Sequence, residues 1–131
     1  MVRTLQLQII SPRGSVFSQP VARVEIPGSE GDFGVLPDHA PLLSLLRPGI
    51  ITAHQKDGDA RYFVASGYAE VSSEGCLVLS DQIQDMASVT RASAETMRDT
   101  AKQDLANAKG EAARLEAEKK LAFAEELLNV A

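Results

Sequence analysis

Few side chains in this 131-residue sequence could carry chemistry: His39, His54, Cys76 and a scatter of carboxylates. Asp38 beside His39 is a candidate acid/base pair, with Asp32 close by in sequence. General acid–base work needs a base oriented by another group and aimed at a nucleophile. Adjacent residues on a turn seldom orient one another that way, and no serine or cysteine sits in a recognisable nucleophile motif. Cys76 is the only cysteine, so an internal disulfide and a zinc cluster are both excluded. Its neighbours Leu77, Val78 and Leu79 predict a buried, inert thiol. Residues 28–34 are glycine-rich like a phosphate loop but lack its lysine and its following helix. The strand–helix alternation of a dinucleotide-binding domain is also missing. These residues predict no catalysis, no metal and no cofactor.

Binding is the better expectation. The net charge is -5, without a block of lysines or arginines, which argues against nucleic acid. No apolar run approaches the roughly 20 residues that span a bilayer, so membrane attachment is expected only through partners. With 44% hydrophobic and 24% charged residues, the chain has the composition of a folded protein.

The elements that would position these residues change character along the chain. All prolines lie at or before Pro48, and after Gly75 the only glycine is Gly110. Before the change the apolar residues alternate: Leu5, Leu7, Ile9; Val24, Ile26; then short apolar or β-branched runs at 49–55, 60–65, 68–71 and 77–79. Turn clusters separate them, and Asp57-Gly58 is a hairpin signal. After it, Val89, Ala92, Thr96 or Met97, Ala101, Leu105 and Ala108 recur at helical spacing, as do Ala113, Ala117, Leu121, Ala124 and Leu128. Ser88 is the expected cap of the first helix and Gly110 its expected stop. The fold class is α+β, mainly β: a β-sandwich or flattened barrel over 1–86, then an antiparallel helical hairpin over 87–131. An alanine-rich hairpin buries little apolar area, so it needs a surface to dock on.

One stretch exceeds fold grammar: residues 31–50, reading Gly-Asp-Phe-Gly-Val-Leu-Pro-Asp-His-Ala-Pro-Leu-Leu-Ser-Leu-Leu-Arg-Pro-Gly-Ile. It closely resembles the signature of the epsilon subunit of F-type ATP synthases, called delta in mitochondria. Residues 7–12, 65–71 and 78–81 resemble that family's strands in order, and Thr90-Arg91-Ala92 resembles the start of its hairpin.

The resemblance implies a rotor subunit of the central stalk, itself catalysing nothing. Its sandwich would pack beside the gamma subunit and stand on the c-ring. The hairpin would lie folded or extend into the catalytic alpha/beta ring, where it obstructs ATP hydrolysis. Glu30, Asp32, His39 and Pro41 become the expected partner contacts, with Glu30, Asp32 and His39 facing the c-ring. Some relatives bind ATP through a first-helix motif; here Arg91 and Ala92 remain, but Ser88 replaces its acid, so ATP binding is expected to be weak or absent. The start at Met1 favours a bacterial complex, peripheral on the cytoplasmic face of the inner membrane. Two other readings stay open at this point. One is a free-standing β-sandwich ligand-binding regulator with a helical effector arm; the other is a hydrolase or carbohydrate-active domain using Asp32, Asp38 and His39.

Overall fold

Strand β1 (Leu5–Ser11) buries Leu5, Leu7 and Ile9 and leaves Gln6 and Gln8 exposed, as period-two alternation demands. The computed structural model describes residues 3–131, so Met1 and Val2, which open the amino-terminal alternation, lie outside the described residues. β1 pairs antiparallel with β2 (Gly14–Val21) and parallel with β9 (Gly75–Leu79). With β8 (Tyr68–Val71) and β5 (Leu42–Leu45) they form a five-stranded sheet ordered β2-β1-β9-β8-β5. The second five-stranded sheet runs β10 (Ile83–Asp85), β7 (Gly58–Val64), β6 (Gly49–Gln55), β3 (Arg23–Ile26) and β4 (Phe33–Val35).

Inward residues of both sheets form one core that includes Leu7, Ile9, Val24, Ile26, Ile51 and Val78. Phe17 and Tyr62 meet edge to face within it, their ring centroids 5.8 Å apart. Burial raises the Tyr62 hydroxyl above its ordinary value, and the nearby Asp85 charge adds to the rise. Cys76 is buried too, and desolvation pushes its thiol up to about 12.

A 3-10 turn, Met86–Ser88, follows the last strand. The first helix, α1, is Arg91–Asn107, and Thr90 rather than Ser88 caps it. Thr90 Oγ1 accepts from the Ser93 N–H at 3.1 Å, and Ser93 Oγ accepts from the Thr90 N–H at 2.8 Å. Ser88 is held in the preceding turn and cannot take that place. Gly110 does not stop α1, which is capped by Ala108; with φ 92 it precedes the second helix, α2 (Glu111–Val130). The left-handed φ is what makes glycine the residue for that corner.

The buried helix faces also differ from expectation. Ala94 and Ala101 are buried on α1, and Ala117, Phe123, Ala124 and Leu127 on α2, while Ala92, Thr96 and Ala113 are exposed. The later start of α1 leaves Ala92 in its wet first turn, and Phe123 and Leu127, four residues apart, set the buried face of α2. Arg91 Nη1 lies 3.5 Å from the Leu128 carbonyl oxygen, so the two helices run antiparallel. Contacts divide the chain after Ala87, the second unit being Ser88–Ala131.

Candidate functional site

The acid/base pair does not form. Asp38, at φ 63, gives its carboxylate to Arg3, and His39 Nδ1 donates to the Ala40 carbonyl at 2.6 Å. Neither is left to orient the other. His54 has no partner that the sequence spacing predicts, and the structure places it between two carboxylates. Nδ1 is 3.0 Å from Asp59 Oδ1 and Nε2 is 3.3 Å from Glu25 Oε2, tying β3, β6 and β7 on their outer face. The two acids lie on opposite ring nitrogens and cannot converge on one ion. No cluster of metal-ligating side chains occurs among the described residues.

Asp32 belongs to a built corner. The Gly28 and Leu46 backbones bridge, the Ser29 N–H donates to Leu45 O at 2.8 Å, and the Arg47 N–H donates to Pro27 O at 2.9 Å. Across this seam Arg47 donates to Asp32 Oδ1 from Nη2 at 2.5 Å and from Nε at 3.0 Å. Glu30 is exposed on the same loop and makes no ion pair among the described residues. Arg47 was missed because it lies 15 residues from Asp32, and nothing in the spacing signals the pair.

The structure does not bring all the expected contacts together. Ile26 pairs with Phe33 and Val24 with Val35, so Asp32 precedes β4 at one end of the β3–β4 ribbon. His39 and Pro41 follow the opposite end, on the turn that Arg3 holds through Asp38. Glu30 and Asp32 share a loop; His39 does not share it.

A second surface was not anticipated. Ile10, Leu79, Tyr68 and Leu45 are successive cross-strand neighbours across β1, β9, β8 and β5. The next row, Gln8, Leu77, Glu70 and Leu43, lies on the same outer face. Leu43 and Leu45 are 68% and 67% exposed. A shallow depression of about 400 Å³, lined in part by Ile10, Pro12, Tyr68 and Leu79, continues the apolar row. Exposed apolar surface of this kind is a candidate interaction face, bordered here by the polar Gln8 and Glu70. The sequence signal was present: Leu42 to Leu46 contains four leucines around Ser44 on a strand that can bury only alternate residues.

In the hairpin, Arg91 faces Glu95 at 3.7 Å on its own helix, and Ala92 is exposed beside it.

A family model described as ATP synthase, Delta/Epsilon chain, beta-sandwich domain matches residues 4–86. An ATP synthase epsilon chain of Rhodospirillum rubrum is 41% identical over 129 residues, spanning 98% of this chain and 96% of the relative. The chain belongs to the ATP synthase delta/epsilon family. Another epsilon chain, from Maricaulis maris, is 38% identical and spans 85% of this chain and 84% of its own length. Solved structures share the fold. A chain of the Euglena gracilis mitochondrial ATP synthase aligns with a TM-score of 0.69 at 22% identity, covering 97% of this chain and 81% of that one. A chain of the Tetrahymena thermophila mitochondrial ATP synthase central stalk and c-ring assembly aligns at 0.55 with 13% identity, covering 96% and 97%. Among the described residues, no helix of this family member is long and apolar enough to cross a membrane.

Proposed function

We propose that this chain is a non-catalytic rotor subunit in the central stalk of an F-type proton-translocating ATP synthase. It couples c-ring rotation through gamma to ATP synthesis and regulates hydrolysis through its hairpin, which reaches the catalytic alpha/beta ring when extended. The observation that carries the reading is kinship with epsilon chains along 98% of the sequence. The row from Ile10 to Leu45 supports a gamma subunit as the neighbour of the sandwich, since it offers an exposed apolar strip. Glu30 and Asp32 suit a polar loop of the c-ring, and His39 and Pro41 belong to a separate contact on the other end of the ribbon. The working location is the cytoplasmic face of a bacterial inner membrane, held there by partners. Arg91 faces Glu95 and the Leu128 carbonyl within its own hairpin, and Ser88 offers no acid, which supports weak or absent nucleotide binding.

Co-purification with the membrane ATPase tests the reading. Leu43→Glu combined with Leu45→Glu puts two carboxylates in the proposed contact while touching exposed positions. The double variant is expected to keep its melting curve and to be lost from the complex. Retention at the level of the unsubstituted chain would refute the gamma contact.

A further inference from the structure

The corner that carries Asp32 is shaped by Arg47, a residue to which the proposed contacts give no part. Segments 27–32 and 45–49 touch backbone to backbone. A Cβ on Gly49 would stand 2.7 Å from Pro27 Cβ, so only glycine permits the approach. On this seam the guanidinium spans two acceptors. Nη2 and Nε converge on Asp32 Oδ1, and Nη1 donates to the Pro48 carbonyl at 3.0 Å. A planar fork can serve both at once; a lysine ammonium on a flexible stem cannot hold that geometry. Asp32 Oδ1 thus receives two donors, while Oδ2 accepts none among the described hydrogen bonds.

We infer that Arg47 is the positioning residue of the acidic loop, holding Asp32 with Oδ1 occupied and Oδ2 free for a cationic or N–H-donating loop of the c-ring. The inference rests on the reading that this loop meets the c-ring. The side chains of the pair are 46% and 62% exposed, so its contribution to folding is small. Its effect falls on binding, because a carboxylate already fixed loses less freedom when a partner arrives. The pair is also neutral overall, which leaves Glu30 as the uncompensated charge that steers the encounter, while Asp32 sets the register.

The test uses ATP synthase membranes stripped of this subunit and rebound with the full chain. Asp32→Ala, Arg47→Ala, Arg47→Lys and the Asp32→Ala/Arg47→Ala double variant are titrated, with a thermal melt of each chain as the folding control. Asp32→Ala is expected to weaken rebinding, and Arg47→Ala to weaken it roughly two- to fivefold, the scale of an exposed ion pair. Arg47→Lys should recover part of the loss. Adding Arg47→Ala to Asp32→Ala should cost nothing more, because the arginine acts through the carboxylate. An equal loss from Arg47→Ala in both backgrounds would make Arg47 a direct contact and overturn the inference. A loss with Asp32→Ala but none with Arg47→Ala would overturn the positioning role and leave the c-ring contact standing. No loss from either single variant would overturn both.

Discussion

Ile9, Ile51 and Val78 in the sandwich are fully buried by side chains distant in sequence, whereas the hairpin buries mostly alanine, at positions 94, 101, 117 and 124. A buried isoleucine or leucine contributes about 1.5–3 kcal/mol from the removal of apolar surface, and an alanine methyl far less. Both units are regular and hydrogen-bonded, yet the large side chains buried in the first outnumber the Phe123 and Leu127 buried in the second. Beyond the buried Phe123 and Leu127, the hairpin relies on local devices, the Thr90–Ser93 capping box and the Arg91–Glu95 and Arg114–Glu118 pairs. Such pairs add only tenths of a kcal/mol each. A fixed platform and a weakly self-sufficient arm are what the proposed role divides between them: the platform carries rotation, and the arm changes where it docks.

The sharpest way to break this comparison is to separate the units. Residues 1–87 alone are expected to unfold in one cooperative transition by circular dichroism. Residues 88–131 alone should show broad, partial helicity, since helices of this length are marginal in water without packing. A cooperative melt of the isolated hairpin at high temperature would erase the distinction.

A smaller effect comes from pH. The buried Cys76 thiol holds its proton up to about 12, against an ordinary value of 9.0. A folded-state value raised above the unfolded one stabilises fully below pH 9.0 and loses that stabilisation as pH climbs toward about 12. Urea unfolding of residues 1–87 should therefore weaken across that window by up to about 1.4 kcal/mol per pH unit from this group. Cys76→Ala should flatten that part of the slope. The hairpin contains no cysteine, and its helicity should not respond to the substitution.

The smallest expected effect is none. A ligand at a hundredfold excess over its Kd would stabilise its site by about 2.7 kcal/mol. Mg-ATP is expected to leave the melting of the full chain unchanged and to give no heat in titration calorimetry. A saturable shift that disappears in Arg91→Ala would give the hairpin a ligand-made stability and blur the contrast.

Much of the β fold was legible where one face is buried and the other wet, as at Leu5 to Ile9 and at Val24 and Ile26. β2 was not, because it is an edge strand that buries only Phe17 and Val21 and includes Pro20. β4 and β10 are three residues each, too short to show a period. β5 hid for another reason: its leucines are exposed, so apolar character no longer marks what is inside. At the site, Asp32 stood out by type and loop position. Arg47 did not, because a pair made across two turns leaves no spacing rule to read. The helix cap slipped from Ser88 to Thr90 since two hydroxyl residues compete there, and only Thr90 has a serine three positions on to return the hydrogen bond.

The outward leucines of β5 have a bearing on how the chain behaves alone. β5 is the last strand of its sheet, and residues 28–29 cover its outer edge only at Leu45 and Leu46, so the exposed Leu43 stands beside the part left open. An unassembled copy therefore shows water an apolar face and, around Leu43, a short length of uncovered edge. Pro41 and Pro48 bracket the strand and limit how far a foreign strand can extend along it. The protection is partial. The exposed leucines therefore make the chain alone more prone to self-association than a chain whose β5 face is covered.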